Sequence, residues 1–184
     1  MSNFSPTENR IGIQPIQQSN AATPSQYQVG QSPEFGQNHP LGTIVRAQDL
    51  ASSLGEGEFV YLAGAANTTV GSLVIWNSVA GTTTLSPNTA HLGEPVAVAM
   101  SANTTATSYG WYQISGVARV KKTAVKVNPN VNIFLSATTG RVSSVVASGK
   151  EIVNAITVNA ATVASATSTV LVSIMRPFAQ GQVI

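Results

Sequence analysis

Residues 109–135, YGWYQISGVARVKKTAVKVNPNVNIFL, decide the fold class of this 184-residue chain. Tyr112, Ile114, Gly116, Ala118 and Val120 alternate with Gln113, Ser115, Arg119 and Lys121, the period-two signature of a half-buried strand. Asn128-Pro129-Asn130 breaks the run, because proline fixes φ and lacks a donor while asparagine tolerates left-handed φ. Val131, Ile133 and Leu135 follow with the same alternation, so the stretch reads as a hairpin.

Outward from this stretch the chain repeats the pattern. Residues 43–47, 58–62, 72–76, 95–100, 141–146, 151–158 and 169–175 are short, rich in Val, Ile and Thr, and bounded by Gly, Pro, Asn or Ser. The run 72–76 is apolar throughout, which predicts burial on both faces. Ala97 and Ala99 make one face of their strand small, which predicts close approach of another sheet or subunit. A weak helical pattern falls on 48–54, with Leu50 and Leu54 on one face and Gly55 as its stop. Residues 80–84 and 86–88 read as turns, and Pro177 as the end of the sheet. About ten short strands with little helix predict an all-β fold, a compact β-barrel or β-sandwich, over residues 41–178.

Residues 1–40 are different material. They hold seven Gln and five of the nine Pro residues, too polar a stretch to form a core alone. Pro6, Pro15, Pro24 and Pro33 recur at intervals of nine, which places them on one edge of a polyproline II helix. With Ile13, Ile16, Tyr27 and Phe35 as apolar pegs they outline an extended Pro/Gln-rich arm that orders on assembly. Residues 179–184 form a short tail that Phe178 anchors.

Charge is scarce: 9% of residues are Asp, Glu, Lys or Arg, against about 25% in ordinary soluble domains. Such a surface has little repulsion to keep copies apart and suits a member of an assembly. A net charge of +2 gives no case for nucleic acid. Between Pro95 and Lys150 there is no acid, while Arg119, Lys121, Lys122 and Lys126 cluster there, and five of the seven acids, Glu34, Asp49, Glu56, Glu58 and Glu94, lie in the segment 34–94. These basic residues either pair with acids of the same or a neighbouring subunit, or form a patch for an acidic partner. No run is long and apolar enough for a membrane helix, and Met1 to Pro6 lacks the charged and apolar regions of a signal peptide, so the expectation is a soluble chain made in the cytoplasm.

Chemistry is sparse. With no cysteine there is no disulfide or thiolate site, and no metal or cofactor is expected. His91 lies in a loop with only Glu94 near it in sequence, and His39 lies in the arm. Glu56 and Glu58 share a face as a conceivable carboxylate pair, but their glycine-rich setting reads better as a solvated turn. Tyr109, Trp111 and Tyr112 beside the basic residues read as core packing before a stacking platform. No catalytic residue is assigned, and the chain is read as not an enzyme.

Four segments carry a resemblance: GEGEFVYL (55–62), PVAVAMSAN (95–103), YGWYQISG (109–116) and RPF (176–178). Together they resemble small structural proteins of tailed bacteriophages, among them head decoration, or cement, proteins. The resemblance spans roughly residues 41–178 and rests on fold-forming residues, so no functional residue carries over. It implies a β domain on the capsid exterior, commonly a homotrimer, that binds the major capsid protein at capsomer junctions and stabilises the virion, with the arm as anchor. The alternative is a host-surface or carbohydrate-binding module of a head fibre or tail, built on Trp111 and Tyr109. A hydrolase using Glu56, Glu58 or Glu94 is a third and weaker reading.

Overall fold

The computed structural model describes residues 4–6, 16, 37, 39–50 and 54–182. The protein is all-β: β1 (Phe4–Pro6), β2 (Ile44–Asp49), β3 (Glu56–Ala63), β4 (Leu73–Trp76), β5 (Thr83–Leu85), β6 (Val96–Ala99), β7 (Tyr109–Lys121), β8 (Asn132–Leu135), β9 (Val142–Ser143), β10 (Glu151–Thr157) and β11 (Thr169–Ala179). They join one curled antiparallel sheet in the order β1-β2-β3-β7-β11-β10-β8-β9, with β6 attached to β7, β4 to β6 and β5 to β4.

β7 is long because it serves two halves of the sheet. Its first half pairs with β3, from Ala63↔Tyr109 to Glu58↔Ser115, and its second half pairs with β11, from Met175↔Ser115 to Thr169↔Lys121. Ser115 therefore has a strand on either side. The strand bends here. The β3 register slips so that Phe59 faces Gln113 and Ile114 becomes an extra residue, and Gly116 follows with φ of 95°. Gln113, predicted to face outward, is buried, and its Nε2 donates to the carbonyls of Ser115 (3.1 Å) and Val117 (3.2 Å) across the bend.

The alternation predicted for β7 holds after the bend, where Ala118 and Val120 are buried and Arg119 is exposed. Before it, both faces are covered. Tyr112 and Ile114 pack with Val60, Leu62, Val74, Ala97 and Ala99, while Trp111 packs with Val45, Ala47, Phe59, Tyr61, Met100 and Ile16. Ala118 and Val120 belong to a third and larger cluster with Val170, Val172, Ile174, Ile133, Leu135 and Ile152. Each such side chain contributes about 1.5–3 kcal/mol when withdrawn from water, so β7 stands at the centre of the apolar stabilisation. β4 and β6 match their patterns: Leu73, Ile75, Val96 and Val98 enter the largest cluster, and Val74, Ala97 and Ala99 enter the one around Tyr112.

Several expectations are corrected. No helix occurs among the described residues; Gln48 and Asp49 end β2, and the loop closes through Asp49 N to Gly55 O (2.9 Å) and Leu54 N to the Asp49 carboxylate (3.3 Å). Asp49 thus takes over the backbone donor that a helical turn would have satisfied. β7 and β8 do not form a hairpin: β8 pairs with β9 and β10. Lys122 ends β7 by turning inward, and the chain crosses to another part of the sheet. The predicted turn at 80–84 overlaps β5, which begins with its Thr83 and Thr84. Pro177 does not end the sheet. Arg176 has φ of 45° and the β10 pairing jumps from Ala155↔Ile174 to Val153↔Phe178, so the proline sits in a bulge where no ladder donor is needed. β11 then runs through Ala179, and Phe178 is 39% exposed instead of anchoring a tail.

Candidate interaction surfaces

β11 presents alternate residues to two sides. Val170, Val172 and Ile174 point into the core; Leu171, Ser173 and Met175 face outward. Cross-strand pairing puts Ile156, Ser173 and Val117 in one row, Leu171 beside Arg119, and Met175 beside Ser115. Val158 donates its N–H to Leu171 O (3.0 Å) at the edge of this face, and Phe178 lies opposite Val153 beyond the bulge. Met175 is 72% exposed, Ile156 40%, Phe178 39% and Val158 37%. Four large apolar side chains left to solvent on one pair of adjacent strands and its edge form an exposed patch, whereas Val79, Val145 and Val146 stand in turns. The signal was present in the sequence: the run from Val170 to Met175 is apolar at both parities, interrupted only by Ser173.

The four basic candidates do not form one cluster. Arg119 is exposed on β7, with no side-chain partner among the described residues. Lys121 shares its face but is held by the Thr69 hydroxyl. Lys126 is exposed in the following loop. Lys122 is buried and unavailable to any partner. Its Nζ donates to the carbonyls of Thr123 (3.2 Å), Val125 (2.8 Å) and Ser165 (3.3 Å), so three ammonium protons meet three oxygens. The Lys122 carbonyl accepts from Arg141 Nη1 (3.0 Å), which ties a further loop to the same point. Burial holds the Lys122 ammonium below the usual lysine range.

The acids are placed differently from the expected turn. Glu56 and Glu58 lie on β3, and both oxygens of Glu58 are engaged. Oε1 accepts from Arg46 (Nε 3.3 Å, Nη2 3.2 Å) and Oε2 from Arg176 (Nε 3.2 Å, Nη2 3.2 Å). This bridge links β2, β3 and the β11 bulge beside a shallow polar depression of about 220 Å³ lined by Arg46, Glu56, Gly57, Glu58 and Ser115. With each oxygen engaged by a guanidinium, the Glu58 carboxylate offers no free oxygen for proton transfer. His91 is exposed, with Nδ1 3.2 Å from Gly181 O. Among the described residues no three His, Asp or Glu side chains gather as a metal site.

The aromatic side chains form a nest. Tyr61 lies 5.1 Å from Trp111 and 6.3 Å from Tyr109 between ring centroids, and His39 lies 5.1 Å from Tyr61 and 5.4 Å from Trp111. Trp111 and Tyr112 are fully buried, and the Tyr112 hydroxyl accepts from Asn103 Nδ2 (3.3 Å), so neither ring is free to stack on a ligand. Burial lowers the His39 pKa. No local pattern links His39 to the tryptophan 72 positions later; the β3–β7 register makes that link.

Of the arm residues, Ile16 is completely buried in the cluster around Phe59 and Trp111, and Pro6 lies in β1 opposite Ala47 of β2. Ile13, Pro15, Pro24, Tyr27, Pro33 and Phe35 lie outside the described residues. No family model, curated protein or solved structure matches this chain.

Proposed function

We propose that this chain is a virion structural protein, a capsid decoration protein that sits on the outer surface of a phage head and stabilises it. The observation that carries the reading is the outer face of β10 and β11, where Ile156, Met175 and Phe178 are left to water beside the exposed Arg119. An apolar patch with an arginine at its margin matches the composition of protein interfaces, in which arginine and methionine are enriched and lysine and acids depleted. The partner is the major capsid protein, at junctions between capsomers, and the copies form a homotrimer.

Three further features support the reading. The segments 55–62, 95–103, 109–116 and 176–178 that resemble decoration proteins are neighbours in space: β3 and β6 both pair with β7, and Pro95 bridges to Phe178. The surface carries few charges, so close packing against other chains costs little desolvation. Glu56 and Glu94 are exposed, Glu58 is bridged by two arginines, and the Asp49 carboxylate accepts from the Leu54 N–H, so the described carboxylates named as candidates are not gathered with a histidine.

Capsids assembled without this protein test the proposal. The full chain should bind them and raise their resistance to heat, and Met175→Glu with Ile156→Glu should weaken binding at least tenfold while leaving its own melting temperature nearly unchanged. Binding that is absent, or indifferent to both substitutions, rejects the capsid-facing role of this sheet.

A further inference from the structure

A second depression, of about 130 Å³, lies where β4, β6 and β7 meet the bulge of β11. Trp76, Pro95 and Pro177 give it stiff walls, the buried Val96 and Ile114 close its base, and Ile44, 41% exposed, stands at its rim with Arg176. An apolar cavity of about 150 Å³ accepts one benzene ring, so the space suits a single ring. Its polar side-chain groups are all donors. The Trp76 Nε1 is buried with no hydrogen-bond partner among the described residues. Arg176 spends Nε and Nη2 on Glu58, and no described group takes its Nη1. The other lining side chains are aliphatic or proline, so none accepts a hydrogen bond. Arg176 is also held at φ of 45°, and backbone strain in a non-glycine residue gathers at ligand clamps.

We propose that this depression binds an extended, proline-rich segment of a partner protein, with one pyrrolidine ring seated against Trp76 and adjoining carbonyls accepting from the indole and from Arg176. A site whose side chains only donate calls for a ligand that only accepts. Proline carries a carbonyl and no N–H, and a polyproline II segment spends none of its carbonyls internally. An ordinary peptide would bring N–H groups, and a sugar hydroxyls, to a place with no side-chain acceptor for them. A carboxylate also only accepts, but charge disfavours it. Arg46 and Arg176 face Glu58, and Glu56 lines the adjoining depression, so two positive charges already stand against two negative ones. The neutral acceptor is the better complement. Polyproline II is stiff before it binds, and so are the two proline walls, which keeps the ordering cost low. Because the Trp76 Nε1 is sealed from water in the empty pocket, the half-buried ring must turn slightly to meet a carbonyl, and its emission becomes a reporter of binding. The inference goes beyond the capsid-facing role and does not rest on it.

The test titrates the full-length chain with a synthetic peptide of about ten prolines, long enough for about three turns of polyproline II, and follows tryptophan emission and heat. Saturable binding with a shift in emission is expected, and a glycine–serine peptide of equal length should give neither. Ile44→Glu places a charge at an exposed rim position where the fold has little at stake, and should weaken binding roughly tenfold or more. Trp76→Phe keeps a ring but removes the N–H, and should weaken binding about fivefold and abolish the shift. Absence of saturable binding, or binding that either substitution leaves unchanged, overturns the proposal. A response to a neutral oligosaccharide or to phenylacetate, lost in Ile44→Glu, with none to the proline peptide, overturns it equally by assigning the pocket to another ligand. No capsid enters these measurements, so failure here is separable from failure of the decoration role.

Discussion

Gly116 lies so close to the carbonyl of Glu56 that a Cβ built on it would stand 2.4 Å from that oxygen. The glycine also has φ of 95°, which L side chains rarely adopt. Two independent constraints meet at the bend where β7 passes from β3 to β11, and neither is relieved by moving a flexible side chain, because the obstacle is backbone. Gly116→Ala should therefore cost about 3 kcal/mol or more and lower the melting temperature by on the order of 10 °C. Gly42→Ala is the control: φ is 83° but nothing lies within 4 Å, so only the conformational term of about 1 kcal/mol remains. Equal losses at the two sites in thermal unfolding would show that the close approach to Glu56 carries no weight.

Lys122 should be as sensitive for a different reason. Lys122→Met keeps the length of the stem but orphans the carbonyls of Thr123, Val125 and Ser165, for a loss of about 3 kcal/mol. The pH dependence has a definite sign. The folded-state pKa lies below the ordinary 10.5, so between the two values the unfolded chain holds more protons and stability rises with pH. Denaturant unfolding between pH 8 and about 10 should show that rise in the parent and a flatter profile in Lys122→Met. Parallel profiles would mean that the lysine titrates alike in both states.

These two positions also mark where the sequence was legible. Short β-prone runs bounded by turn residues located β2, β3, β6, β10 and most of β11, and a continuous apolar run located β4, because such patterns report which side chains a sheet buries. They failed where tertiary pairing overrides them. Gln113 reads as outward-facing, yet it is buried because the bend supplies two carbonyls for its amide. Lys122 reads as one more basic surface residue beside Lys121, and only the meeting of the 123–125 segment with Ser165 explains a buried ammonium. The false hairpin has the same origin, since a proline turn at 128–130 says where the chain bends and nothing about which strand it joins. The outer face of β10 and β11 was half legible. Its apolar residues are plain in the sequence, but their exposure depends on the absence of a covering layer.

Glu58 tests how much the charged bridge contributes. Both arginines are about two-thirds exposed, at 66% and 65%, so solvent screens the pairs strongly. Glu58→Gln should cost no more than about 1 kcal/mol, or about 2–4 °C in melting temperature. The difference should shrink in about 0.5 M salt, where the screening length falls below 5 Å. A loss of several kcal/mol that salt leaves unchanged would show that the bridge acts through packing of the Arg176 bulge.

His39 makes the aromatic nest sensitive to acid. Its ring is held between Tyr61 of β3 and Trp111 of β7, with Tyr109 stacked on Tyr61, so the other titratable groups of the nest are tyrosines. The His39 Nε2 and the Trp111 Nε1 are both buried without a hydrogen-bond partner among the described residues, so nothing there stabilises an added proton by a hydrogen bond. Burial holds the folded pKa below 6.5, and between that value and 6.5 the unfolded segment binds more protons. The contribution of the docked histidine is therefore full above pH 6.5 and is lost as pH falls through the folded pKa. In a Trp76→Phe background, emission reports Trp111 alone. It should shift to longer wavelength as pH is lowered from 7 to about 5, as water reaches the indole, and His39→Phe should abolish the shift. If the shift persists in His39→Phe, another group drives the opening; if neither protein shifts, the histidine stays docked when protonated and the rings accept it as a cation.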